Sequence, residues 1–230
     1  MNIHGLQKMT LLDFPGKVAC TVFLGGCDMR CPFCHNWELV DGEAPAIMDE
    51  DELLRFLGGR VGLLDGVAFT GGEPLLRNDL GDVIKRIREM GFLIKLDTNG
   101  NHPDRLKGML DAGLLDYVAM DVKNSKERYG ETIGLPGFDT THIEESISIL
   151  KESNIDYEFR TTVMKEYHDE SSFEGIAEMI RGSKKYYIQS FIDRDTVPTE
   201  GLSAYSADEL NKFLEIVKPY VEYAELRGVD

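Results

Sequence analysis

Six short runs of apolar and β-branched residues recur along the chain: "VACTVFL" (18–24), "GVAFTGG" (66–72), "FLIKLDTNG" (92–100), "YVAMDVK" (117–123), "YEFRTTV" (157–163) and "YYIQSF" (186–191). Each has the length and composition of a buried strand. Between them the pattern changes to helical spacing. Leu80, Val83, Ile84, Ile87 and Met90 share one face over 79–90, and Gly91 supplies a stop. Helices are expected near 50–58 and 103–113 as well. Thr141-x-x-Glu144, Ser171-x-x-Glu174 and Ser206-x-x-Glu209 read as capping boxes that open three more, the last followed by Leu210, Phe213, Leu214 and Val217. Alternating strands and helices predict right-handed βαβ units and an α/β fold with a parallel sheet. About six units are too few for a closed eight-stranded barrel, so the expectation is a partial (β/α)6 barrel with outer helices. "VEYAEL" (221–226) reads as an added edge strand, and the lack of repeats or linkers predicts a single domain over 1–230.

The predicted strands share a second habit. Gly71-Gly72-Glu73 follows the second run, Asp97-Thr98-Asn99 ends the third, Asp121 and Lys123 lie in the fourth, and Arg160 and Gln189 lie in the fifth and sixth. In parallel α/β folds ligands sit at the carboxyl ends of strands, so these groups point to one mouth.

Charge narrows the classes. A formal net charge of −16, with 42% hydrophobic and 29% charged residues, describes a globular protein with no basic face for nucleic acid. The first residues carry no apolar leader, no run approaches membrane-span length, and four cysteines with three clustered do not resemble a secreted disulfide framework. The expected setting is cytoplasmic.

The chemistry concentrates in "GGCDMRCPFCHN" (25–36), which holds Cys27, Cys31 and Cys34 and follows the first strand. A structural zinc site needs a fourth ligand. His35 adjoins Cys34 and is poorly placed to reach the same ion, while Cys20 sits mid-strand and reads as a small hydrophobe. "CPFCH" matches a haem-attachment pattern, and Cys31/Cys34 matches a redox pair, but each leaves Cys27 idle. A [4Fe–4S] cluster held by three thiolates uses all three and leaves one iron open.

Cys27-x-x-x-Cys31-x-x-Cys34, with Phe33 before the last cysteine and with "TGGEP" (70–74) and "DTNG" (97–100) at strand ends, resembles the radical S-adenosylmethionine (SAM) enzymes. The likeness is nearest to the glycyl-radical-enzyme activases, and among them to the activating proteins of anaerobic ribonucleoside-triphosphate reductase. It implies that Cys27, Cys31 and Cys34 hold the cluster and that SAM binds the open iron. Reductive cleavage would then give a 5′-deoxyadenosyl radical that takes hydrogen from a partner enzyme's glycine, with flavodoxin or ferredoxin as electron donor. By the same likeness Phe33 and Gly134 lie near the adenine, and Gly71, Gly72 and Glu73 meet the SAM ammonium. Asp97, Thr98, Asn99 and Asp121 surround SAM, with a monovalent cation implied beside Asp97, Thr98 and Asp121. Lys123, Arg160 and Gln189 complete the cofactor site. Gln189 stands where pyruvate formate-lyase activase carries a histidine, which favours the reductase-activating group. The competing readings are a radical SAM enzyme acting on a small molecule, such as a deazapurine-forming enzyme, and a non-catalytic iron–sulfur or zinc protein.

Overall fold

The computed structural model describes residues 1–229. By internal contact the chain forms two compact units that interleave in sequence. The first comprises Met1–Asp28, Glu38–Thr98 and Asp104–Val118; the second comprises Met29–Trp37, Asn99–Pro103 and the chain from Ala119 onward.

The first unit contains β1 (Asn2–Ile3), β2 (Gly5–Thr10), β3 (Ala19–Leu24), β4 (Met48–Asp49), α1 (Glu50–Gly58), β5 (Gly66–Gly71), α2 (Leu80–Glu89), β6 (Leu93–Thr98) and almost all of α3 (Pro103–Asp111). β7 (Tyr117–Asp121) begins here and ends in the second unit. β1 pairs with β4 as a small antiparallel ribbon. The main sheet runs β2-β3-β5-β6, antiparallel at β2/β3 and parallel thereafter. Register sorts its residues by face. Cys20–Val67–Ile94 and Val22–Phe69–Leu96 form apolar rows, all fully buried, and α2 adds Val83, Ile84 and Ile87 to the core. Burial of such side chains contributes about 1.5–3 kcal/mol each. The opposite face carries the row Thr21–Ala68–Lys95, where polar groups enter the interior.

The second unit carries α4 (Lys126–Thr132), α5 (Thr141–Glu152), β8 (Asp156–Val163), α6 (Glu170–Met179), β9 (Lys185–Ser190), α7 (Ala207–Val217) and β10 (Tyr223–Arg227). Its sheet runs β7-β8-β9-β10, with β8/β9 and β9/β10 parallel. Phe159 pairs with Tyr186 and Thr161 with Ile188 on the apolar face. In the same unit Phe173 of α6 stacks on Phe213 of α7 with centroids 4.4 Å apart. The other face is polar: Glu158, Arg160 and Thr162 on β8, Tyr187 and Gln189 on β9, Arg227 on β10. Glu158 accepts two hydrogen bonds from Arg227, at 2.7 and 3.0 Å, so this buried carboxylate is fully paired.

The α/β architecture with a mostly parallel sheet matches the sequence pattern, and β10 is the strand expected at 221–226. Three details differ. β2 was not expected, because "GLQKMT" is largely exposed and lacks an apolar alternation. α4 is only seven residues long and holds no apolar stripe. Two capping boxes also shift. α5 starts after Thr140, whose hydroxyl donates to Glu144 Oε1, and α6 starts after Asp169, which forms its box with Ser172. The Ser206/Glu209 box forms as predicted. No helix among the described residues is long and apolar enough to cross a membrane.

Candidate active site

In the first unit the cysteine loop leaves β3 and is held at once. Gly26 N–H donates to Leu39 O at 2.7 Å and Cys27 N–H to Val40 O at 2.8 Å. The turn after β5 is bound to the same stretch: Gly72 N–H donates to Leu24 O and Glu73 N–H to Gly26 O, both at 2.8 Å. A Cβ at Gly72 would collide with the Gly26 carbonyl, so a side chain at 72 would force the two backbones apart. Glu73 is fully buried, and its carboxylate accepts from Leu75 N–H and from the Thr98 hydroxyl, each at 2.9 Å. Thr98 therefore shares Glu73, while Asp97, on the opposite face of β6, takes the Lys95 ammonium. Lys95 was not singled out in the sequence; its signal is a lysine inside an apolar run, two residues before an aspartate.

Cys20 lies in the apolar Cys20–Val67–Ile94 row, and burial pushes its thiol up to about 12. That is the environment of a packing residue.

In the second unit Arg30 N–H donates to Ile133 O at 2.9 Å, tying the loop to the end of α4. Gly134, at φ 72°, packs so closely on Arg30 that a Cβ would strike its carbonyl. Cys31-Pro32-Phe33-Cys34 closes as a turn, with Cys34 N–H donating to Cys31 O at 3.1 Å. Phe33 is buried, its ring 6.2 Å from that of Tyr167. His35 Nε2 lies 2.7 Å from Ile192 O, and its ring stacks on Phe191. Asn99 Oδ1 accepts from Asn101 N–H at 2.9 Å and shapes the loop after β6.

The electrostatic centre of this unit is Asp121. Its Oδ2 accepts from Lys123 Nζ and its Oδ1 from Arg160 Nε, each at 2.9 Å. Burial would raise the Asp121 carboxyl, but Arg160 and Lys123 outweigh it and hold the group down at about 2. Burial alone would discharge Lys123, yet Asp121 and then Cys31 raise it, so the ammonium stays charged. Cys31 is 8% exposed; burial pushes its thiol up to about 11, with Lys123 the chief opposing influence. Burial also pushes Cys34 up. Asp121, Lys123, Arg160, Cys31 and Cys34 are thus brought into one field. Gln189 lies on the same polar face of the sheet as Arg160, in register with Thr162 and Arg227.

No disulfide joins any of the four cysteines. Among the described residues no three His, Cys, Asp or Glu side chains are grouped to hold a single metal ion. A cubane cluster differs from a single ion in this respect, because each thiolate binds its own iron. Both aspartates expected beside a monovalent cation already have ammonium partners, Lys95 on Asp97 and Lys123 on Asp121.

Comparison with known proteins identifies the family. The chain is 30% identical over 236 residues to MJ1227 of Methanocaldococcus jannaschii, named as a glycyl-radical enzyme activating enzyme, covering 99% of this chain and 96% of that one. It is 36% identical over 150 residues to pyruvate formate-lyase-activating enzyme of Clostridium pasteurianum, or 60% of each chain. In fold it resembles a domain of pyruvate-formate lyase-activating enzyme from Bacteroides vulgatus (TM-score 0.58, 20% identity, 71% of this chain and 99% of that). It also resembles Streptococcus suis SuiB bound to S-adenosylmethionine (TM-score 0.68, 12% identity, 90% of this chain and 52% of that). The Radical SAM superfamily model spans residues 21–180, from within β3 through the cysteine loop and the Asp121 cluster to the end of α6. The chain belongs to the radical SAM superfamily.

Proposed function

We propose that this chain activates a glycyl-radical enzyme, using a [4Fe–4S] cluster and SAM to place a radical on a glycine of its partner. The observation that carries the reading is the set of three cysteines outside any disulfide and spaced Cys27-x-x-x-Cys31-x-x-Cys34, within an end-to-end likeness to an activating enzyme. The donor set fits the cluster: soft thiolates suit iron, three of them leave one iron for SAM, and the fourth cysteine is committed to the core. When bound, the cluster would give one electron to SAM, whose cleavage would release methionine and supply a 5′-deoxyadenosyl radical able to take a hydrogen atom from the partner's glycine.

The chain's own residues bind and orient. Lys123, kept charged by Asp121, offers an ammonium to an anionic group, and the SAM carboxylate is the ligand it suits. Arg160 braces Asp121 so that Lys123 is not fully neutralised. By the family likeness Gly71, Gly72 and Glu73 would meet the SAM ammonium, Phe33 would lie near the adenine, and Asp97, Thr98, Asn99 and Gln189 would belong to the same cofactor site. Burial of Cys31 and Phe33 keeps water from the reactive centre.

The finer reading of the partner is anaerobic ribonucleoside-triphosphate reductase, supported by Gln189 at the position where the pyruvate formate-lyase type has histidine. Flavodoxin or ferredoxin would deliver the electron. The test is anaerobic incubation of reconstituted enzyme, SAM and reductant with that reductase, followed by electron paramagnetic resonance. A glycyl signal on the partner is expected. SAM cleavage with every tested glycyl-radical partner left unmodified would instead favour a small-molecule substrate.

A further inference from the structure

In the second unit Asn124 follows Lys123 and His168 follows Tyr167, and each side chain bonds the backbone of the other's neighbour. His168 Nε2 lies 2.8 Å from Lys123 O, and Asn124 Nδ2 donates to Tyr167 O at 2.7 Å. The segments that follow β7 and β8 are therefore joined by a reciprocal pair of side-chain-to-backbone bonds. His168 is 1% exposed and Asn124 0%. Buried polar groups cost stability unless their donors and acceptors are met, so apolar residues would serve packing alone at least as well.

The partners fix the form of the ring. Met164 N–H approaches Nδ1 at 3.5 Å, so Nδ1 accepts; Nε2 faces a carbonyl, so Nε2 carries the proton. Burial agrees, lowering the imidazole to about 4 and keeping it neutral. The Asn124 amide donates to Thr132 Oγ1 at 2.8 Å as well as to Tyr167 O, and its Oδ1 accepts from Ser125 N–H at 2.7 Å. Both ends of the pair lead to the cysteine loop. Thr132 precedes Ile133, whose carbonyl takes Arg30 N–H beside Cys31, and Tyr167 sets its ring 6.2 Å from that of Phe33. The His168 carbonyl is held in turn by the Tyr205 hydroxyl.

We infer that Asn124 and His168 are positioning residues, a reciprocal clamp that fixes the Lys123 backbone relative to the cysteine loop and so aims its ammonium at the SAM carboxylate. This rests on the cofactor reading above, in which Lys123 meets that carboxylate. Lys123 lies two residues past the end of β7, and its carbonyl takes the His168 ring, so the clamp acts where the strand has ended. Both side chains act through Lys123.

The test measures SAM binding to the oxidised, reconstituted enzyme by equilibrium dialysis, without reductant, so that no turnover enters the reading. His168→Leu should take up as much iron as wild type and bind SAM about tenfold more weakly. His168→Gln, whose amide nitrogen can take the place of Nε2, should stay within about threefold of wild type. On a Lys123→Met background His168→Leu should weaken SAM no further, because the lysine it aims is gone. Nitrogen-15 spectra of labelled histidine should show Nε2 protonated and Nδ1 bare at His168. That spectrum, with His168→Asn as a second variant expected to weaken SAM like His168→Leu, carries the test should His168→Leu not fold. Wild-type SAM affinity in His168→Leu of full iron content, the opposite tautomer, or an additive loss beside Lys123→Met overturns the clamp and leaves the cofactor reading standing. Wild-type affinity in Lys123→Met overturns the lysine's assignment to SAM, and the clamp with it.

Discussion

Two lysine–aspartate pairs with the same spacing do different work. In the first unit Lys95 precedes Asp97 along β6, and its side chain is 2% exposed, with its ammonium on the Asp97 carboxylate. In the second unit Asp121 ends β7 and Lys123 lies two residues beyond, with Arg160 also on the carboxylate. The difference is in what else the lysine faces. Lys95 lies within β6, in a row with Thr21 and Ala68, and ends on Asp97. Lys123 also acts on Cys31, and its retained positive charge there favours an anionic ligand. An Asp-x-Lys pattern therefore says little by itself; what else the lysine faces decides whether the site can bind.

The contrast can be broken experimentally. Lys123→Met should have the largest effect, lowering the rate of 5′-deoxyadenosine formation by about 100-fold, or roughly 3 kcal/mol. Its melting temperature should change little, because Arg160 still holds Asp121. Lys95→Met should do the reverse. It takes the ammonium from the Asp97 carboxylate and should cost about 2 kcal/mol of stability by denaturant unfolding. The double variant with Asp97→Asn should recover most of that loss, while turnover per folded molecule stays within a few-fold.

A pH effect comes next, and it concerns the backbone under Lys123. His168 Nε2 lies 2.8 Å from Lys123 O, and burial lowers the imidazole to about 4. The unfolded chain takes up this proton near its ordinary value, so stability is full above about pH 6.5 and falls as pH drops toward 4. The loss should reach up to about 3 kcal/mol across that window and should flatten in His168→Gln. The smallest effect expected is that of alkali cations. With ammonium groups already on Asp97 and Asp121, exchanging potassium for a bulky organic cation should change SAM cleavage by less than about twofold. A strict requirement would show that the two carboxylates also take an inorganic cation.

The strands and most helices were legible because apolar runs and helical spacing report burial directly. β2 was hidden by its polarity, and α4 by its brevity and its run of charged residues. The two displaced caps show that a Ser/Thr-x-x-Glu pattern does not fix its register when Thr140 or Asp169 can start the helix instead. In the site, the cysteines and the Asp121–Lys123 pair announced themselves through spacing at the ends of strands. Lys95 did not, because a lysine in a strand reads as solvent-facing until its row in the sheet is known.

The central claim is a three-thiolate cluster with one iron left for SAM, and iron content measured alongside 5′-deoxyadenosine release tests it most directly. After anaerobic reconstitution, wild type and Cys20→Ala should both bind about four irons and cleave SAM on reduction, whereas Cys31→Ala should do neither. Loss of iron in Cys20→Ala, or SAM cleavage surviving in Cys31→Ala, would contradict it.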